Sequence, residues 1–223
     1  QIMKTNQDYK NAALAALKGK WTPSVVATLV LVAIIIAVMI PIIIVEVSVN
    51  PDSDLMSPGT YLAMYGFLFL IYYPLSMVGY YNAYKSLFRN GDDKVTSNMF
   101  SYTFKGYPKA LGLSILYMLF VFLWALLLYI PGIIKGLAYS MSPFILKDNP
   151  ELSANQAINL SMKMMKGHKF DLFCLMLSFI GWGFLAIFTF GIGYLWLAPY
   201  MSTTMVAFYE DVKAEYEAQP VAA

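Results

Sequence analysis

Long apolar runs alternate with short polar stretches along the whole chain. Residues 25–45 are an almost unbroken apolar run. At 1.5 Å per residue, a helix of that length covers about 30 Å, the thickness of a bilayer's hydrocarbon core. Further runs at 61–84, 110–130, 133–146, 170–188 and 194–209 predict five more crossings. Pro41 is expected to kink the first of them near its far end. The run 133–146 is short and holds Lys135, so it is expected to be tilted, broken or re-entrant. Pro131-Gly132 predicts a tight turn before it, and Gly191-Ile192-Gly193 another before the last run.

The polar stretches have helical periodicity of their own. In residues 7–18, Tyr9, Ala13, Ala16 and Leu17 share one face, while Asp8, Lys10, Asn11 and Lys18 are polar. Residues 95–104 predict a weaker interfacial helix. Ser153 and Gln156 form a capping-box pattern. Beyond it, Asn155, Asn159, Lys163 and Lys166 line one face and Ala157, Leu160 and Met164 another. Each of these helices ends in a Lys-Gly corner: Lys18-Gly19-Lys20, Lys105-Gly106 and Lys166-Gly167-His168-Lys169. Glycine permits the turn, and lysine and tryptophan favour the aqueous edge of a bilayer.

The corners suggest an internal repeat over residues 7–84, 95–146 and 154–209, all within a single membrane domain spanning 1–223. The returning helix of each hairpin gathers Pro, Tyr, Ser and Met, at 72–77, 139–143 and 198–202. The expected fold is therefore an all-α membrane protein. Six transmembrane helices form three hairpins, accompanied by short interfacial amphipathic helices.

Composition agrees with that reading. The 223 residues are 59% hydrophobic and only 13% charged, against about 25% charged in soluble domains. Too few polar groups remain to solvate a globule. Charge placement sets the orientation. Of the 15 lysines and arginines, all but Lys135 fall on one side if both termini are cytoplasmic. The positive-inside rule thus predicts six crossings with both ends in the cytoplasm. The loop 46–60 on the other side carries Glu46, Asp52 and Asp54 and no cation. The first apolar run is too long for a signal-peptide core, and no cleaved signal peptide is expected.

Little of the residue chemistry suggests catalysis. His168 is the only histidine and reads as an ordinary interfacial residue. Cys174 is the only cysteine, excludes an intramolecular disulfide and reads as a buried small hydrophobe. Asp52-Ser53-Asp54 reads as a solvated turn, and Asp171 as an acid favoured at a helix N-terminus. No nucleophile–base pair or metal cluster is visible, so no enzymatic activity, cofactor or metal is expected. Candidates for a polar lining or lipid contact are Lys135, Tyr139, Ser140, Ser142, Pro143, Pro199, Tyr200 and Ser202. The alternative for these groups is packing between helices, with Lys135 snorkelling to nearby water. Candidates for headgroup contact are Lys18, Lys105, Lys166 and Lys169.

Several segments resemble the bacterial domain-of-unknown-function 975 family. They include Leu17-Lys18-Gly19-Lys20-Trp21, residues 129–135, Tyr139-Ser140-Met141-Ser142-Pro143, Asp148-Asn149-Pro150 and residues 165–169. Residues 177–182, Gly191-Ile192-Gly193, Pro199-Tyr200 and Ala207-Phe208-Tyr209 complete the resemblance, which covers about residues 12–209. It implies an integral protein of the bacterial inner (cytoplasmic) membrane with no established activity to carry over. The architecture also looks similar to the membrane domain fused to some glycerophosphodiester phosphodiesterases, a faint pointer to lipid-related work.

The expected function is a non-enzymatic, membrane-embedded accessory or scaffold subunit. The alternative is a small transporter or lipid-handling protein with a path between the three hairpins. Expected partners are the lipid bilayer, anionic lipid headgroups, and a protein partner or second copy of the chain. Nucleic acid is not expected.

Overall fold

The computed structural model describes residues 4–53, 55–127 and 129–218. Asp54 of the first acidic loop lies outside them. Every regular element among the described residues is helical. Four helices are long and apolar enough to cross a membrane: Trp21–Val49, Pro58–Asn90, Tyr107–Leu126 and Lys169–Phe188.

The chain opens with α1 (Asn6–Leu17), started by a Thr5–Asp8 capping box. It turns through Gly19, whose φ of 76° is left-handed and suits glycine. Helix α2 (Trp21–Val49) follows, with Pro41 inside it. The return begins as α3 (Pro58–Phe67) and ends as α4 (Tyr81–Asn90). Between them, Leu68–Tyr72 and Leu75–Tyr80 are wound as π-helix on either side of Pro74. Proline cannot donate to the i−4 carbonyl, and the wider winding accommodates that gap.

Helix α5 (Val95–Phe104) occupies the residues expected of the second interfacial helix. Helices α6 (Tyr107–Leu127) and α7 (Tyr129–Tyr139) pack closely along each other. Pro131-Gly132 does not form the turn between them. Both residues lie in the first turn of α7, where proline's missing N–H has no helical partner to lose. The glycine is required instead by packing: a Cβ there would lie 2.9 Å from the Ala125 Cα of α6.

The fourth apolar run is broken. Helix α7 ends at Tyr139 and α8 (Ser142–Asp148) restarts after a two-residue turn. Helix α9 (Ala154–Met164) has the expected Ser153–Gln156 capping box. It also supplies what the break needs: Ser161 Oγ donates to the Ala138 carbonyl at 2.7 Å and accepts from the Met141 N–H at 3.2 Å. Helices α10 (Lys169–Leu177) and α11 (Ile180–Phe188) lead through the Gly191-Ile192-Gly193 turn to α12 (Tyr194–Ala218).

Helix α12 is long but is not among the four strongly apolar helices. Its second half carries Glu210, Asp211, Lys213, Glu215 and Glu217, and its first half buries Ser202, Thr203 and Thr204. It serves as the central post, packed against α1, α2, α4 and α11.

Two charged residues depart from the polar surface positions expected of them. Lys10, read as part of α1's polar face, is only 8% exposed. Its ammonium donates to the Ser178 carbonyl at 2.9 Å and lies 4.4 Å from the Phe179 ring centroid, at the break between α10 and α11. Glu46, read as a loop acid, lies within α2. Its carboxylate accepts from the Ser57 N–H at 2.6 Å and from the Ser57 and Thr60 hydroxyls, so it caps α3 across the loop.

Candidate functional site

Helices α4, α8 and α12 converge on an aromatic core. Phe144 of α8 stacks on Tyr209 of α12 at 4.9 Å and meets Tyr81 of α4 edge-on at 5.7 Å. Tyr80 and Tyr84 reach back to α2: Tyr80 shares a 2.6 Å hydrogen bond with the Thr28 hydroxyl, and Tyr84 donates to the Ser24 carbonyl.

At the Lys-rich end of this core, Asp148 collects charge from two other helices. Its carboxylate receives Lys85 at 2.5 Å, both guanidinium nitrogens of Arg89 at 2.8 and 2.9 Å, Lys213 at 2.9 Å and the Tyr209 hydroxyl at 2.8 Å. Arg89, the chain's only arginine, also reaches Glu210 at 2.6 Å. Lys85 is 3% exposed and donates to the Phe144 carbonyl at 2.8 Å. Burial acts to raise the Asp148 carboxyl, but the hydrogen bonds from Arg89, Lys85 and Lys213 outweigh it and hold the group well below the ordinary carboxylate range. This cluster links α4, α8 and α12. The sequence reading counted these cations as membrane-edge charges and found no role for Asp148.

On the membrane side of the core lies a groove of about 870 Å³. Tyr73, Ser76, Met77, Tyr80 and Tyr81 form one wall, and Tyr117, Met118, Val121, Gly136 and Ser140 the other. Met176 of α10 and Met205 of α12 also line it. It is wide because α7 turns its small residues inward: a Cβ on Gly136 would meet only the Tyr117 hydroxyl, at 4.0 Å. Tyr117 donates to the Gly136 carbonyl at 3.1 Å and thereby holds the wall. The lining is apolar and polarisable with a few hydroxyls, and methionine adapts its shape to irregular partners.

Of the expected lining residues, Ser140 and Pro143 face this groove. Tyr139 is buried and packs edge-on to Tyr117 at 6.0 Å, while Ser142 bonds the Tyr139 carbonyl. Pro199 is buried within α12, Tyr200 packs on Phe179 at 5.2 Å, and Ser202 is buried. None of these five lines the groove. Lys135 stands 4.6 Å from the Trp124 ring centroid and does not line it either. Lys18, Lys105 and Lys166 are exposed and Lys169 is half-exposed. A second cavity, of about 310 Å³, is lined by Lys105, Lys109 and Lys147.

His168 lies 3.3 Å from Glu215 and 3.7 Å from Asp171, at the foot of α10. Cys174 is half-buried rather than enclosed, because α10 turns that face toward the periphery. Among the described residues, no three His, Cys, Asp or Glu side chains are grouped as metal ligands.

Residues 125–216 match the model of a family described as Protein of unknown function (DUF975), which supports the family resemblance across this stretch. The match takes in the broken helix α7–α8, Asp148 and most of α12. No curated protein and no solved structure matches the chain.

Proposed function

We propose that this chain is a non-enzymatic lipid-handling protein of the bacterial inner membrane that holds an amphiphilic molecule in the groove between its hairpins. In this reading six segments cross the bilayer. The broken stretch 133–146 of α7–α8 is the fourth crossing and the first part of α12 the sixth, and both termini face the cytoplasm. The observation that carries the proposal is the groove itself. Its volume, about 870 Å³, falls in the upper part of the range for small-molecule sites. Its Tyr, Met and Ser lining suits acyl chains with an occasional polar group. A centre closed by packed Leu, Ile and Phe would have left no room for such a ligand.

The accessory-subunit reading draws on a different observation. Only 11% of the most apolar stretch of α2 is buried within the chain, so a protein partner or second copy has a surface to cover. Acyl chains can cover the same surface, so this observation carries that reading less far than the groove carries the lipid reading.

The test is lipid retention. The full chain is extracted in mild detergent and its co-purified lipid is measured by mass spectrometry. Gly136→Phe with Ser140→Phe fills the groove without removing a hydrogen-bonding carbonyl. The expected result is loss of most retained lipid from a variant that still elutes like the wild type. Equal retention by both proteins overturns the proposal.

A further inference from the structure

The cavity of about 310 Å³ lies between α5, the start of α6 and the end of α8. Its lining includes Tyr102, Lys105, Gly106, Lys109, Lys147 and Pro150. Three ammonium groups thus serve one concavity, and no carboxylate lines it. Lys147 lies 3.8 Å from the Tyr102 ring centroid, and Lys109 donates to the Pro150 carbonyl. Asp148, the next residue along, already receives Lys85, Arg89, Lys213 and Tyr209. Burial pulls the Lys147 ammonium below its ordinary range, the charge of Lys105 pulls it further, and the opposing pull of Asp148 is smaller. The cavity therefore gathers like charges without an anion of its own.

Its position points to the source of the missing anion. Ala110 lines this cavity, and Tyr117 lines the membrane-side groove. The two residues are seven apart on one face of α6, a rise of about 10 Å. On α8, Lys147 and Pro143 make the same pairing four residues apart on one face. A basic cavity thus stands one to two helical turns above an apolar groove, the arrangement of a phospholipid with its phosphate at the interface.

We infer that the cavity lined by Lys105, Lys109 and Lys147 binds the phosphate of an anionic lipid whose chains occupy the groove. The inference rests on the lipid reading above and adds headgroup selectivity to it. Phosphate diesters with a neutral or anionic head are favoured. A choline head brings its own cation against the lysines and is disfavoured.

The experiment uses the full chain in nanodiscs of phosphatidylcholine and phosphatidylglycerol, with retained lipid identified by native mass spectrometry. Total retained lipid reports the groove, and the phosphatidylglycerol-to-phosphatidylcholine ratio reports the cavity. Lys105→Gln with Lys147→Gln is expected to lower that ratio about fivefold or more. Lys94→Gln with Lys163→Gln removes the same charge from exposed positions outside the cavity and is expected to leave the ratio in place. An equal fall in both variants, or no preference in the wild type, overturns the inference. If the groove-filling variant retains full lipid while the Lys105/Lys147 variant loses its preference, the groove reading fails and the cavity stands. Inorganic phosphate is added in a separate arm. If it abolishes the preference at millimolar concentration, the phosphate chemistry stands and the lipid source is overturned.

Discussion

At the end of the molecule that holds Asp148, α4, α8 and α12 share one half-buried carboxylate, three cations and a stack of aromatic rings. At the opposite end, α2 continues through Ile40 and Ile44 with little of the chain against it, and Ile44 is 59% exposed. Phe190, in the turn before α12, is 98% exposed and takes a left-handed φ of 52°. The helices are thus fastened at this basic end, while at the other α2 is only loosely packed by the chain. The difference follows from solvent. Where water and headgroups are near, charge can be gathered and satisfied. Along the apolar stretch of α2 the chain has only apolar contact to offer, which lipid offers equally well.

The sharpest way to break the comparison is to remove the fastener. Asp148→Ala leaves Lys85 buried beside Arg89 without its anion, and is expected to lower stability by about 3–5 kcal/mol. Thermal unfolding in detergent, followed by tryptophan fluorescence, measures this. Lys85→Met in the same background should recover part of the loss, because the unpaired buried charge is then gone. The sign with pH is fixed by the direction of the shift. Asp148 is depressed in the folded protein, so its contribution is fully present above the ordinary carboxylate range. It disappears only as pH falls through the lower folded value. The fastened end should therefore hold at pH 5 and loosen well below pH 4.

This cluster was also the least legible part of the sequence. The apolar runs marked the four helices long and apolar enough to cross a membrane, because twenty apolar residues have few other homes, and the capping box at Ser153 announced α9. Residues 95–104 were read as a helix from the same pattern and are one. Lys85, Arg89, Asp148 and Lys213, however, lie far apart along the chain, and nothing local says that they meet. Lys10 failed for a related reason. Periodicity assigned it to a polar face, but the broken backbone at Ser178 offered it a part-buried carbonyl. The groove was half legible: Ser140 and Pro143 came from the returning-helix motif, while Tyr117 and Gly136 carried no signal. Their partner surface forms only when α6 and α7 pack.

Helix α7 allows the comparison to be made within three turns. Gly132 faces Ala125 so closely that Gly132→Val must push α6 away, with an expected loss of about 1–3 kcal/mol. Gly136, one turn on, faces the groove, and Gly136→Ala should stay within about 1 kcal/mol of the wild type. Equal losses at the two positions would mean that the groove side of α7 is as tightly packed as the side that meets Ala125. Ser161→Ala tests the break itself. It strips a buried carbonyl and a buried N–H of their partner, with an expected loss of about 1–3 kcal/mol and faster hydrogen exchange at Met141.

The smallest expected effect separates the two occupants available to the free end. If lipid alone covers α2, Ile44→Ala exchanges one apolar contact for another and should change stability by less than about 0.5 kcal/mol. If a second copy of the chain packs there, the same substitution opens a cavity in a protein interface. The loss then rises above about 2 kcal/mol and depends on protein concentration, because unfolding is coupled to dissociation. Light scattering in detergent reads the oligomeric state of the same samples. A monomer that is indifferent to Ile44→Ala leaves this loosely packed end to lipid.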